Sequence, residues 1–367
     1  MILTVVFYIF VAFTAIQVFY YLAFSSFLFK NKKETKTNEQ APISVLIFAK
    51  NCAKDLQKNL PLILAQKYAT FEVILINNAS TDNTLEIIEN FTVNNKNIKV
   101  LDVENNEAFW GNKKYALTLG IKAAKYEHLL FIDASAKPIS EFWIAEMSKN
   151  FNNSKKIILG YSKYQKENSL TNILIRFEHL LTAIKCFSFT KLKSPFMAFG
   201  TNLSYQKSEF FRVKGFINHI KIKDGEDDLF IKDAAAKSNN TFTLSKDSFV
   251  EINSPKSFRT WFLEQRKNKI LKKQYLFKHQ FLLSFFTFSK VLFYALAITM
   301  FFFYSWQIIV PFILTYYLVQ YIVIGISANK LKEPTIIFFL PFLEIALFLI
   351  QISIFSANLI SKPNHWK

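Results

Sequence analysis

The sequence predicts a mixed α/β domain, a mainly parallel sheet with flanking helices, joined to transmembrane helices. Between residues 42 and 205, short apolar strands alternate with helical stretches, the pattern of parallel strands linked by right-handed crossovers. The first 29 residues carry no charge, and a second uncharged run fills 291–329, long enough for two spans of roughly 20 residues each. The fourth strand ends in Asp133, and Asp224-Gly225-Glu226-Asp227-Asp228 packs four acids into five positions. Such crowding is costly unless the acids meet a metal, a proton or a cation. An Asp ending an apolar strand stands where open α/β sheets place their ligands. Together these features point to a charged, phosphate-bearing substrate handled at a membrane.

Residues 1–29 are expected to form a retained anchor. They lack a basic start and an A-x-A site and exceed the apolar core of a cleaved signal. A polar linker occupies 30–41. Pro42 then opens a buried strand over 43–48, followed by a helix over 53–66. The second strand, 71–76, runs into Asn77-Asn78-Ala79-Ser80-Thr81-Asp82, with helix-start chemistry at Ser80 to Asp82. A third strand is expected over 98–102, a helix over 113–125, a fourth strand over 128–133 and a fifth over 157–161. An amphipathic helix over 170–190, a short strand over 200–205 and a helix starting near Glu226 complete a domain spanning 42–245. A basic amphipathic interface segment, 246–282, follows; its 261–278 portion mixes Trp, Phe and Leu with many Lys and Arg, as suits a membrane surface. About three spans fill 283–361, the first starting near Phe285 or near Val291 according to whether Lys290 lies inside it.

The chain has 367 residues, 51% of them hydrophobic, with 42 Phe and a net charge of +18. No nucleic-acid motif accompanies that charge, which fits an anionic leaflet instead. Cys52 and Cys186 lack metal-type spacing and fit a reducing compartment without a disulfide. Each is expected as a small buried hydrophobe. Lys30, Lys32, Lys33 and Lys36 follow the first span. Lys267, Lys269, Lys272, Lys273 and Lys278 precede the second, and Lys330 and Lys332 separate the third from the fourth. With four spans all these flanks share one side, which predicts a multi-pass protein of the inner (cytoplasmic) membrane with its hydrophilic middle in the cytoplasm. Lys362 and Lys367 on the short tail are the exception.

Six segments carry a resemblance. In order they are 42–47, Asn77 to Asp82, Gly111-Asn112-Lys113-Lys114-Tyr115-Ala116-Leu117, Phe131-Ile132-Asp133-Ala134-Ser135, Gly200-Thr201-Asn202-Leu203-Ser204-Tyr205 and Gly225-Glu226-Asp227-Asp228-Leu229. Each is weak alone, but their order and spacing over about 42–270 resemble the membrane-anchored bacterial type of family 2 glycosyltransferases, which have the GT-A fold. The resemblance implies an inverting transfer from a UDP- or GDP-sugar to a lipid-linked or membrane-near acceptor, in cell-envelope glycan synthesis.

The resemblance also implies roles. Asn77, with Asn78 beside it, stands where the family usually has an Asp that accepts a bond from the uracil ring; an Asn carbonyl can accept it too, while the plain alternative is a turn residue capping the next helix. Lys113, on the first turn of its helix, is expected near the donor diphosphate, or else as a solvated lysine. Trp110 stacks or packs. Asp133 keeps the first acid of a D-x-D motif, but Ser135 replaces the second. Because magnesium keeps several waters, Asp133 and the substrate phosphates are expected to hold Mg²⁺ or Mn²⁺ between them; a weaker metal requirement or an inactive protein are the alternatives. The acidic cluster holds the base that takes the acceptor's proton, with Asp227 preferred over Glu226 and Asp228; the plain alternative is a dipole-stabilised helix start. Of a Q-x-x-R-W signature only Gln265 is in place; Arg266 or Lys267 approaches the phosphates or the lipid surface. His219 is taken as structural, and Glu344, an acid within a span, is given no role. A catalytically silent relative that binds nucleotide-sugar or scaffolds a polysaccharide assembly is the competing reading, motivated by Asn77 and Ser135. A generic nucleotide-binding domain predicts a glycine-rich loop after the first strand, where Ala49-Lys50-Asn51-Cys52 stands instead.

Overall fold

The computed structural model describes residues 1–29, 40–104 and 113–361. Trp110, Gly111, Asn112, most of the expected linker with its lysines, and Lys362 and Lys367 lie outside the described residues. The chain begins with α1 (Ile2–Phe24). There follow β1 (Ile43–Ala49), α2 (Ala53–Leu64), β2 (Phe71–Asn78), α3 (Thr84–Asn94), β3 (Ile98–Val103), α4 (Lys113–Ala123) and β4 (His128–Asp133). Next come β5 (Ala136–Pro138), α5 (Trp143–Ser148), β6 (Ile157–Leu159), β7 (Ser162–Tyr164), α6 (Leu170–Lys191), β8 (Leu203–Gln206), α7 (Lys207–Arg212), α8 (Glu226–Ala234), β9 (Asn240–Phe242) and β10 (Val250–Ile252). Four helices complete the chain: α9 (Phe258–Leu271), α10 (Phe277–Phe301), α11 (Trp306–Lys330) and α12 (Leu340–Ile360).

The main sheet has seven strands in the order β3-β2-β1-β4-β8-β6-β9. β1 and β2 are near-continuous apolar runs because both faces are covered by helices. The register places Phe48 opposite Asp133, Ala49 opposite Asn77, and Asn77 opposite Asp102. The ends of β1 to β4 therefore share one edge, where β2, β3 and β4 bring Asn77, Asp102 and Asp133. The sheet is mainly parallel, as expected, but β8 runs antiparallel to both β4 and β6. The segment expected as a strand over 200–205 opens instead with a 3₁₀ turn, Gly200–Asn202. That turn leads directly into β8. A second sheet, β5-β10-β7, lies outside the expected pattern. Its β10 stands beyond residue 245, the expected end of the domain, and pairs with β5 and β7. Strands of three residues are too short to leave a readable alternation.

Four helical segments, Ile2–Leu28, Phe277–Phe301, Trp306–Lys330 and Pro334–Ile360, are long and apolar enough to cross a membrane. Lys290 lies inside the second, whose helix begins earlier than either expected start. α1 packs against both α10 and α11. At their centre Lys290 Nζ sits 2.9 Å from Glu344 Oε1 and donates to the Tyr21 hydroxyl. Gln320 donates to the same hydroxyl, and Tyr316 donates to Glu344. All four helices thus meet in one polar network, which explains how an ion pair is tolerated there. The α/β domain docks on this bundle through α6. Ser188 donates to Phe24 O at 2.6 Å, and Arg176 pairs with Glu333 in the connection before α12.

Breaking a buried pair by removing one partner typically costs about 3–5 kcal/mol, because the other charge is left uncompensated. Lys290→Met is therefore expected to lower the thermal unfolding midpoint in detergent sharply. Combining it with Glu344→Leu is expected to recover most of the loss. Equal midpoints for wild type and Lys290→Met would remove the pair as a determinant of bundle stability.

Candidate active site

Asp133 ends β4 on the edge where β1 ends, and Lys113 opens α4 beside it. Lys113 Nζ lies 3.0 Å from Asp133 Oδ1 and 2.9 Å from Glu226 Oε1. It also sits 4.9 Å from the centre of the Phe48 ring, a cation–π arrangement. Burial alone would lower the Lys113 pKa, but the two carboxylates outweigh it and raise it. For Glu226 burial pulls upward and Lys113 prevails, so its carboxyl titrates below the usual range. Asp133, Lys113, Glu226, Asp227 and Gly200 line a single cleft floored by Phe48, Phe131 and Tyr205.

The acids reach the cleft because of local backbone chemistry. Gly225 caps α8 with φ +81°, a left-handed conformation that suits glycine. Glu226, Asp227 and Asp228 fill the first turn of that helix, where its dipole favours negative charge. Asp227 Oδ2 accepts the Gly200 N–H at 2.9 Å, and Oδ1 accepts the Asp228 N–H at 2.8 Å. Asp228 turns away from the cleft. It accepts the Ala198 N–H and the Tyr275 hydroxyl. Burial, then the neighbouring Asp228 and Glu226, push the Asp227 carboxyl up to about 8. Burial pushes Asp228 up to about 6, opposed chiefly by the Tyr275 hydrogen bond. The cleft thus pairs a fixed cation with a carboxyl that changes charge near neutrality.

Lys114 is fully buried beside Lys113. Its ammonium donates to the carbonyls of His219, Ile222 and Asp224 at 3.0, 2.6 and 3.0 Å. Burial pulls its pKa down to about 8, and three carbonyl acceptors favour the charged form. Two successive lysines therefore tie the start of α4 to the acidic helix and to the loop before it. His219 is buried, and burial followed by the Lys114 charge lowers it to about 4. At neutral pH it is uncharged.

Asn77 is buried at the end of β2, where its Nδ2 donates to Asp102 Oδ1 at 2.6 Å. A carboxylate only accepts, so the amide nitrogen must face it. Asn77 Oδ1 is left without a partner among the described residues, as is Asn78 Nδ2. Asp82 serves the backbone, accepting the N–H groups of Thr84 and Ala53. Ser135 follows Asp133 by two residues and is half-buried. Among the described residues no three His, Cys, Asp or Glu side chains gather as a metal set. Asp133 lines the cleft, paired with Lys113, and Ser135 does not line it, so a divalent ion there would have Asp133 as its protein ligand, keep most of its waters and take further oxygens from a bound phosphate.

Gln265 and Arg266 do not line this cleft. Gln265 donates to Glu178 on α6. Arg266 binds Asn358 at 2.8 Å and the Ala357 carbonyl at 3.0 Å, at the end of α12. Arg266 is thus engaged by the membrane bundle, which sequence spacing alone does not reveal. Three residues escaped the sequence reading. Asp102 stands one position before the end of β3, opposite Asn77, and the argument used for Asp133 applies to it. Lys114 reads like any other lysine of a basic chain. Tyr275 carries no local signal, since its partner Asp228 is 47 positions away.

Residues 44–216 match the family model described as Glycosyl transferase family 2. The poly-beta-1,6-N-acetyl-D-glucosamine synthase of Staphylococcus aureus (strain COL) is 28% identical over 171 residues, 46% of this chain and 40% of the relative. The synthase of the same name from Staphylococcus epidermidis is 39% identical over 92 residues, 25% of this chain and 21% of the relative. The chain thus matches less than half the length of these curated relatives. Among solved structures, the mannosyltransferase PcManGT from Pyrobaculum calidifontis in complex with GDP-Man and Mn²⁺ superposes with a TM-score of 0.62 at 13% identity. That likeness covers 98% of this chain and 99% of the other, and it extends through the membrane helices as a likeness of fold.

A methyl group on Gly200 would lie 3.0 Å from Asp227 Oδ2 and 3.2 Å from its Cβ. Gly200→Ala is therefore expected to lose the Asp227 hydrogen bond and on the order of 1–3 kcal/mol of stability. Thermal unfolding in detergent checks this, and an unchanged midpoint would mean that Asp227 is not seated so closely.

Proposed function

We infer, from a chain that belongs to glycosyl transferase family 2 through residues 44–216 and has the GT-A fold, that it is a membrane-embedded inverting glycosyltransferase. Its donor is a UDP- or GDP-sugar and its acceptor a lipid-linked or membrane-near hydroxyl. The observation that carries this reading is the shared cleft of Asp133, Lys113, Glu226 and Asp227. PcManGT is a mannosyltransferase seen with GDP-Man and Mn²⁺, and the staphylococcal relatives are synthases of a poly-N-acetylglucosamine. Both support a nucleotide-sugar donor here. The four apolar helices support a membrane-near acceptor. A cytoplasmic active site in an inner membrane, serving cell-envelope glycan synthesis, is part of the same proposal and rests on the lysine flanks.

The donor's base lies against Asn77, whose unpartnered Oδ1 accepts a ring N–H while Asp102 fixes the amide. Asn78 lies beside it. The diphosphate lies at Lys113, whose charge is held in place by Asp133 and Glu226. Asp133 would hold a divalent ion together with the phosphates. Such an ion neutralises the negative charge that the leaving diphosphate gains.

The acceptor oxygen attacks the anomeric carbon as the carbon–oxygen bond to the diphosphate breaks, and the nucleoside diphosphate leaves with the bonding electrons. The acceptor proton passes to the Asp227 carboxylate. Asp227 lines the cleft with one lone pair on each oxygen still available beyond its two backbone bonds. Glu226 is occupied by Lys113, and both oxygens of Asp228 are engaged outside the cleft. Lys113 stabilises the departing charge in a partly dry setting.

The test is nucleotide release by the full chain in detergent, with common UDP- and GDP-sugars and Mg²⁺ or Mn²⁺. Asp227→Asn is expected to lower turnover about 10²–10⁴-fold. Unchanged release would remove Asp227 as the base. Binding without release by the wild type would favour the catalytically silent reading, and no binding at all would remove both. The base works only when deprotonated, so turnover is expected to rise between pH 6 and 8, the values toward which Asp228 and Asp227 are displaced. Stability runs the other way. A carboxyl that holds its proton more tightly when folded contributes stability below the ordinary carboxylate range, which is lost as pH rises through about 8. A flat rate profile across this window would contradict the assignment.

A further inference from the structure

A second cavity, of about 650 Å³, opens where α6 and α9 meet the membrane helices. Its lining divides by chemistry. At the end nearer the α/β domain stand Lys185 of α6, Lys269 of α9, and Lys272 and Lys273 just after it. Between the membrane helices, two facing stripes line it at helical spacing. Leu283, Ser284 and Thr287 come from α10, and Leu347, Ile354 and Phe355 from α12. The Lys290–Glu344 pair closes the far end. About 20 Å of helix axis separates Phe277 from Lys290, so the apolar portion runs deep along the bundle. α12 packs on α6 and α9 while α10 packs on α1 and α11, and the cavity lies between α10 and α12 on the domain side of the Lys290–Glu344 pair.

The charge balance of the lining is five lysines against two glutamates. Glu344 is matched by Lys290. Glu178 already accepts from Thr182 at 3.0 Å and from Gln265 at 3.3 Å. Lys185 has no hydrogen-bond or ion-pair partner among the described residues. Burial, followed by repulsion from Lys272, pulls it down to about 7. Gathering like charges on a half-enclosed apolar wall is costly without a counter-anion. The cationic end also touches the catalytic machinery. Met197 lines the cavity while the next residue, Ala198, donates to Asp228. Tyr275, which also donates to Asp228, follows Lys272 and Lys273 by three and two positions.

We propose that this cavity binds a membrane lipid whose head is a phosphate ester, with the phosphate held by Lys185, Lys269 and Lys272 and the hydrocarbon chain lying between α10 and α12. Binding itself follows from the cavity alone. That the lipid presents the acceptor to Asp227 rests on the transferase reading above.

The test uses the full chain in a neutral detergent and hexadecyl phosphate as the probe, with hexadecanol and inorganic phosphate alongside. Binding is read from intrinsic fluorescence or thermophoresis. Hexadecyl phosphate is expected to bind saturably and at least tenfold more tightly than either control. Lys185→Gln combined with Lys272→Gln is expected to weaken it tenfold or more, and Leu347→Trp, which fills the apolar end one turn from Glu344, to weaken it similarly. Lys273→Gln, a change at an exposed rim position, is expected to weaken it a few-fold and serves if the double variant does not fold. Equal affinity for inorganic phosphate would overturn the lipid claim, equal affinity for hexadecanol would overturn the phosphate claim, and variants that bind like the wild type would overturn the location. Nucleotide release from UDP- and GDP-sugars is measured separately, with and without hexadecyl phosphate. Lipid binding without release would leave the cavity assignment standing and remove the transferase reading; release without lipid binding would do the reverse.

Discussion

Lys113 reaches Asp133 at the end of the sheet and Glu226 at the start of α8, and the cleft takes its form from that one cation. The two acids sit on elements nearly a hundred residues apart in sequence. Neither would be held facing the other across a half-dry cleft without a positive charge between them. Lys114, one position on, anchors the loop that leads into α8. The start of α4 is thus a clamp, with one lysine fixing side chains and the next fixing backbone. A site built this way is ready for a polyanion, because the cation that now neutralises two carboxylates can exchange part of that interaction for phosphate oxygens.

The same region is tied to the membrane. Asp228 does not face the cleft, yet it receives the hydroxyl of Tyr275, which stands between α9 and α10. Ala198 and Gly200, which donate to Asp228 and Asp227, follow α6, the helix that docks on the bundle. Movement of the interfacial segment would therefore be felt by the acids within a single hydrogen bond. Inside the bundle, the meeting of Lys290, Glu344, Tyr21, Tyr316 and Gln320 fixes where the four helices stand. It also sets the far end of the cavity between α10 and α12.

Much of the framework was legible in the chain. The apolar runs of β1, β2 and β4 and the uncharged membrane helices are long and carry strong periodic or compositional signals. The antiparallel β8 was not legible, because a strand of four residues carries no signal of its direction in the sheet. The small sheet of β5, β10 and β7 was missed because three-residue strands carry almost no pattern. At the site, the acids stood out through their crowding and Lys113 through its place at a helix start. Arg266 shows the opposite limit. A basic residue near a signature position was read toward the phosphates or the lipid surface, but the end of α12 offers it carbonyl and amide oxygens. Sequence shows which groups carry charge; which partner neutralises each one is decided by tertiary packing.

The most direct test of the account is a structure determined by electron microscopy of the full chain with UDP or GDP bound. The account predicts diphosphate density within hydrogen-bonding reach of Lys113 Nζ, between Asp133 and Glu226, with the base ring against Asn77. A nucleotide bound away from Lys113, or with its phosphates on a face that Asp227 does not share, would contradict it.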